Sequence, residues 1–149
     1  MTPQAVRVAA QNIANIALGV LIVDAVSKTA AIVMASRDIG LGVILPVQNP
    51  EFSLGVATAA FPIMLMMSTL GILVFGGYTA SAAARGVLPA WIPGLLIGGG
   101  IGNLGDRMLF GAVHDWLDLG KVVVNFADVA VVMGLLGYCV YVVFARRWR

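Results

Sequence analysis

Four long apolar runs limit what this chain is able to fold into. They extend from about Val8 to Met34, Leu54 to Phe75, Val87 to Gly105 and Val122 to Phe144. Each is close to the roughly 20 residues that an α-helix needs to cross the hydrocarbon core of a bilayer. Inside lipid only helices or closed barrels satisfy every backbone N–H and C=O group. Composition agrees: of 149 residues 60% are hydrophobic and 11% charged, with a mean hydropathy of +0.99. A soluble domain carries about 25% charged residues. The expected fold is therefore an all-α membrane protein, a single domain over residues 1–149 with four transmembrane helices. The first run is too long for the h-region of a cleaved signal peptide, and it carries Asp24 and Lys28.

The charges orient such a bundle. Arg7, Arg85, Arg146, Arg147 and Arg149 fall at the ends that four alternating helices put on one side, which the positive-inside rule makes cytoplasmic, with both termini inside. All seven acidic residues, Asp24, Asp38, Glu51, Asp106, Asp115, Asp118 and Asp128, then fall on the outer half. A pI near 9.0 suggests nucleic acid in other contexts, but the nine Lys and Arg residues form no patch here. The excess reports topology, and no nucleic-acid partner is expected. The single cysteine, Cys139, has no second thiol for a disulfide or a metal cluster and reads as a small membrane-facing packing residue.

Between the first two runs, IGLGVILPVQNPEFS (39–53) has glycines, prolines and apolar residues that read as extended chain with turns. A small extracytoplasmic β segment is expected there, at the outer membrane surface. Arg107–Lys121 alternates Met108, Leu109, Phe110, Val113, Trp116 and Leu117 with polar residues, the pattern of an amphipathic segment lying in the interface. Gly94, Gly98, Gly99, Gly100, Gly102 and Gly105 crowd the third run. Small residues let helices approach closely in lipid; no preceding strand or following Gly-Lys-Ser/Thr supports a phosphate loop.

The polar residues within these runs carry the chemistry. Asp24 and Lys28 are four apart, acid first, and pair along one helix face. Asn103, Asp106 and Arg107 share a face at the end of the third helix, where a neighbouring guanidinium favours an ionised Asp106. Asp115 and Asp128 have no cation at helical spacing. Asp128 is expected about 9 Å into a helix starting at Val122, with Asn125 on the same face. Two carboxylates brought close together cannot both ionise cheaply, so one keeps a proton. Such a pair suits peptide hydrolysis, one member activating water while the other polarises the carbonyl. Intramembrane acids also serve ion paths and structural pairs, and spacing alone leaves these readings open. His114, Asp115 and Asp118 make a weak metal set, because catalytic zinc sites use two or three histidines or a cysteine–histidine combination. No metal is expected.

Four blocks in order give the chain a family resemblance. DAVSK (24–28), NLGDR (103–107) after its glycine-rich approach, VHDW (113–116) and NFAD (125–128) resemble the motifs of the lipoprotein signal peptidases, the signal peptidase II family of four-helix bacterial aspartic peptidases. The resemblance covers essentially the whole chain. It implies catalytic aspartates at Asp115 and Asp128, with Asp24, Lys28, Asn49, Asn103, Asp106, Arg107 and Asn125 supporting the site or binding substrate. It implies cleavage of a diacylglyceryl-modified prolipoprotein just before the lipidated cysteine, without metal or organic cofactor, by a monomer in the lipid of the bacterial inner membrane, with the active site near the outer face. The chain departs from the family at QNPEFSLG (48–55), where Asn49 is kept but Gln48, Pro50 and Glu51 differ and the connection is about two residues shorter; Ala25 and Val124 also depart. These changes leave the chemistry intact and bear on substrate preference. The alternatives are a family member that binds lipidated precursors with weak turnover, and a small membrane carrier using the buried acids.

Overall fold

A computed structural model describes residues 2–36, 44–49 and 61–145. Among these residues four long helices and three short strands follow in order: α1 (Pro3–Ser36), β1 (Ile44–Asn49), α2 (Phe61–Ala84), α3 (Trp91–Phe110), β2 (Val113–Asp118), β3 (Val123–Val124) and α4 (Phe126–Ala145). α2 contains one π-helical turn, Ile72–Gly76. The expected start of the second helix at residues 54–60, the loop residues 39–43 and 50–53, and Asp38, Glu51, Arg146, Arg147 and Arg149 lie outside the described residues.

Three helices are long and apolar enough to cross a membrane: Pro3–Ser36 and Phe126–Phe144, each with hydropathy 2.0, and Phe61–Ala84 with 1.7. Their outward faces stay apolar and exposed, as at Leu18, Val26, Leu73 and Val140. Cys139 is also exposed. α3 differs because it is the central helix, packed most extensively against α1 and α4. Its buried face includes Gly94, Gly98 and Gly99, so it is diluted by small residues where its neighbours display Leu and Val to the outside.

Those glycines set how closely the helices approach. A Cβ on Gly98 would lie 2.8 Å from the Ala17 carbonyl oxygen of α1, and one on Gly99 would collide with the Ala127 carbonyl oxygen of α4. On the neighbouring turn a Cβ at Gly102 would sit 3.0 Å from the Asp24 carboxylate. Backbone-to-backbone packing thus draws α1 and α4 onto α3, as lipid-embedded helices do where small residues meet. Gly105 is different, with nothing within 4 Å of its Cβ position. At the other end of the bundle Ile13, Ala82, Ala83, Leu88, Ile92 and Leu96 form the apolar core.

The strands make one antiparallel sheet in the order β1-β2-β3. Val47 pairs with Asp115, Gln48 with His114 and Asn49 with Val113, with an irregularity between Ile44 and Val47; Leu117 and Asp118 pair with Val124 and Val123. β1 falls inside the stretch expected to be extended. The stretch 107–121 divides instead of forming a single amphipathic element. Its start completes α3, which ends at a left-handed Gly111 (φ 76°) whose N–H bonds the Arg107 carbonyl. Its middle is β2, where Val113 and Asp115 are buried and His114 and Trp116 less so. Period-two burial of this kind marks a strand. Pairing on both sides of β2 decides the outcome, and local composition did not reveal it.

Gly99→Ala gains up to about 1 kcal/mol of helix propensity but sets a methyl against backbone that is not free to yield, costing about 1–3 kcal/mol. Thermal unfolding in detergent is expected to show Gly99→Ala destabilised and Gly105→Ala unchanged or stabilised.

Candidate active site

The close approach of α1, α3 and α4 brings four of the seven acidic residues to one end of the bundle. Asp24 and Lys28 lie on α1, Asn103, Asp106 and Arg107 on α3, and Asp128 on α4; Asp115 arrives on β2. Lys28 Nζ lies 2.6 Å from Asp24 Oδ2 and 3.0 Å from Asp106 Oδ2, with all three side chains largely buried. The expected helix pair is present, and Lys28 proves to be a cation shared with α3. Asp106 also accepts the His114 backbone N–H at 2.9 Å and lies 3.4 Å from its ring Nδ1. Phe110 packs edge-on to that ring, with centroids 4.9 Å apart. Asp106 is thus tied to α1 and β2 by direct contacts. Arg107 is buried, and its Nη1 donates to the Asn103 carbonyl at 3.3 Å.

Asp128 does not lie deep in a helix that starts at Val122. α4 begins at Phe126, after the β3 pairing, and Asp128 occupies its first turn. Asn125 caps the helix: its Oδ1 accepts the Asp128 N–H at 2.9 Å, while Asp128 Oδ2 accepts the Asn125 N–H at 3.3 Å. This is the reciprocal pattern of a capping box. Asp24 Oδ1 accepts the Ala127 N–H at 2.9 Å, so a carboxylate from α1 satisfies another free donor of the same helix end. The positive pole of the helix favours negative charge there.

Asn125 joins the two candidate carboxylates. Wholly buried, it donates from Nδ2 to Asp115 Oδ1 at 2.7 Å and to Asn103 Oδ1 at 3.0 Å. Asn103 Nδ2 in turn donates to Asp128 Oδ1 at 2.7 Å. Asn49, at the end of β1, donates to the other oxygen of Asp115 at 2.9 Å. Its register partner is Val113, so this is the diagonal contact made by same-face neighbours across an antiparallel pair. All nine residues singled out in the sequence are therefore drawn into one contiguous end of the bundle.

The electrostatics of Asp115 follow from this enclosure. Burial pushes its carboxyl above the usual carboxylate range, and the nearby Asp128 charge adds to the rise. The amide donors of Asn49 and Asn125 and the charge of Lys28 oppose it. A carboxyl held in this balance retains a proton to higher pH than a free aspartate does, which suits proton transfer.

The family model for signal peptidase (SPase) II matches residues 16–144. The chain belongs to the signal peptidase II family. A lipoprotein signal peptidase of Pelotomaculum thermopropionicum is 35% identical over 127 residues, spanning 77% of this chain and 80% of the relative. Another, from Moorella thermoacetica, is 34% identical over 95 residues, which span 62% of this chain and 63% of its own. The fold is also similar to that of a bacterial membrane enzyme solved by the in meso method at 2.3 Å, with TM-score 0.70 over 86% of this chain and 85% of that one, at 22% identity.

Several contacts of this signal peptidase II family member had no sequence signal. The reach of Asn125 to Asp115, the cap that Asp24 gives to α4 and the tie of His114 to Asp106 all depend on residues brought together by the fold. Each joins elements whose separation along the chain exceeds a helical turn, so periodicity carries no trace of them. Removing Lys28 charge tests the network: Lys28→Met leaves Asp24 and Asp106 buried without their shared cation. The expected loss is about 3–5 kcal/mol, read as a lowered unfolding midpoint in detergent.

Proposed function

We propose that this protein is an aspartic endopeptidase that removes the signal peptide of diacylglyceryl-modified prolipoproteins just before the lipidated cysteine, with Asp115 and Asp128 as the catalytic pair. The observation that carries the assignment of the pair is the Asn125 side chain, which bonds one carboxylate and caps the helix that bears the other. Family membership supports the substrate class. In this reading α3 is the fourth membrane crossing, both termini are cytoplasmic, and the sheet and the pair lie near the outer face of the inner membrane.

The two carboxyls share one proton. The ionised member takes a proton from water as the water attacks the scissile carbonyl, and the protonated member hydrogen-bonds the carbonyl oxygen as negative charge develops there. Collapse of the tetrahedral intermediate breaks the C–N bond, and a carboxyl delivers a proton to the leaving cysteine nitrogen. The apparent pKa values of such a pair belong to both groups together. Asn103, Asn125 and Asn49 hold the carboxylates in place without adding charge. Lys28, Asp24 and Asp106 fix the frame around them.

Asp115→Asn and Asp128→Asn are each expected to lower turnover of a diacylglyceryl-modified prolipoprotein peptide by about 100- to 10,000-fold, the range of general acid–base loss, while the protein stays folded. Turnover that survives both changes would sink the assignment.

The pH profile gives a second check. Activity needs one proton on the pair, so it falls as pH rises through the upper apparent pKa. Burial raises the Asp115 carboxyl, so this alkaline limb is expected above the usual carboxylate range. The Asn49 donor favours the charged form of Asp115. Asn49→Leu removes that donor while keeping an apolar filling, and the alkaline limb of kcat/KM is expected to move to higher pH.

A further inference from the structure

α1 has two opposite faces, and the bundle occupies only one of them. Ile13, Ala17, Val20, Asp24, Lys28 and Ala31 are buried. Two residues turn a helix by about 200°, so the residue two before each of these looks away from the bundle. There Gln11, Asn15, Leu18, Ile22, Val26 and Thr29 are all exposed. The hydroxyls of α1 close onto their own helix: Thr29 Oγ1 donates to the Ala25 carbonyl at 2.8 Å and Ser27 Oγ to that of Asp24 at 2.9 Å. The side-chain amides of Gln11 and Asn15 make no hydrogen bond among the described residues. Asn12, also exposed, lies off this line and borders a groove with Ala83 and Ala90.

Asn15 lies eight residues after Arg7 and 13 before Lys28, or about 12 Å and about 20 Å along the axis. Its side chain is too short to carry the amide to either interface of a membrane that α1 crosses. An amide in hydrocarbon without a partner is costly, and Asn and Gln side chains bond across helices there. The spacing describes the helix that fits. Val8, Gln11, Asn15, Leu18, Ile22, Ala25 and Thr29 step by three and four in alternation, and all are exposed. This is the 3.5-residue repeat of a two-helix seam, with Val8, Asn15, Ile22 and Thr29 at one position and Gln11, Leu18 and Ala25 at the other. β-branched residues at the first position with leucine at the second favour two parallel strands, and a single Asn at the first fixes their register.

A second copy of this chain meets those requirements. Every copy inserts in the same direction, so identical residues meet at identical depth. Each amide carries both donor and acceptor and therefore complements its own counterpart, as a two-fold interface requires. The seam from Val8 to Thr29 carries no formal charge to oppose the approach. We propose that the protein dimerises in the membrane through this face of α1, the two Asn15 amides bonding each other in the hydrocarbon core and the two Gln11 amides one turn nearer the amino terminus. The motif resemblance implies a monomer, and this face departs from it. Asp24 and Lys28 lie on the opposite face of α1, so the candidate site of each copy is turned away from the seam.

The test counts photobleaching steps of dye-labelled protein in vesicles of phosphatidylethanolamine and phosphatidylglycerol over a range of protein-to-lipid ratios. The unmodified chain is expected to pass from one step to two as the ratio rises. Asn15→Leu is expected to weaken the dimer about 10-fold or more, the worth of an amide pair between helices in lipid, and Asn12→Leu to leave it unchanged. Asn15 is exposed, so the thermal midpoint of Asn15→Leu in detergent should hold, which separates lost association from lost folding. In a Cys139→Ser chain, Val8→Cys is expected to cross-link to its counterpart on oxidation. Val143→Cys, on an exposed position of α4, is expected not to. A chain that stays monomeric at every ratio would overturn the proposal, as would a dimer indifferent to Asn15→Leu or one cross-linked through Val143→Cys instead. Cross-linking of Val8→Cys to a different protein in native membranes, with the purified chain monomeric, would assign the face to another helix and overturn the second copy. No readout involves cleavage, so the outcome is independent of the peptidase reading.

Discussion

Lys28 holds two carboxylates at once, Asp24 at 2.6 Å on its own helix and Asp106 at 3.0 Å on α3. Buried charge is tolerated only where it is paired and hydrogen-bonded, so this ammonium makes the whole polar end of the bundle possible. Asp24 uses its second oxygen to accept the Ala127 N–H of α4, and Asp106 accepts the His114 N–H of β2. One cation therefore ties α1 to α3 directly, and to α4 and β2 through one carboxylate each. The backbone-close packing at Gly98, Gly99 and Gly102 supplies the short distances over which those ties operate.

The candidate pair is built on this frame by neutral groups. Three asparagines, from β1, α3 and the start of α4, provide the side-chain donors that meet Asp115 and Asp128. Amides orient carboxylates without fixing their protonation state as strongly as a cation does, which is the difference between this pair and the Lys28 cluster beside it. Cation-paired acids and amide-bonded acids thus stand next to one another at the same end, separated by the kind of partner each receives.

Much of this was legible in the residues. Hydrophobic runs located the helices, and i,i+4 spacing found the Asp24–Lys28 pair. The cluster at Asn103, Asp106 and Arg107 was visible as one helix face, and the resemblance at DAVSK, NLGDR, VHDW and NFAD pointed to the residues now found together. β2 was not legible, since Val113, Trp116 and Leu117 suit an interfacial segment as well as a strand, and only its partners β1 and β3 decide between them. Asp128 was expected too deep because the apolar run starts at Val122, whereas the strand pairing of Val123 and Val124 delays the helix to Phe126. Asn125 was seen as a neighbour of Asp128. Its bond to Asp115 depends on where β2 lies, which no local pattern encodes.

The contact between Asp24 and the Ala127 N–H joins residues 103 apart in sequence. It has a consequence for biogenesis. Synthesis proceeds from the amino terminus, so α1 and α3 exist in the ribosome-bound chain before the segment carrying Asn125 and Asp128 emerges. Until then Asp24 lacks its α4 donor and Asp115 lacks its bridging amide. The helix made after α1 and α3 is the one that closes the constellation, and a chain truncated before it carries Asp24, Lys28 and Asp106 but only one member of the candidate pair.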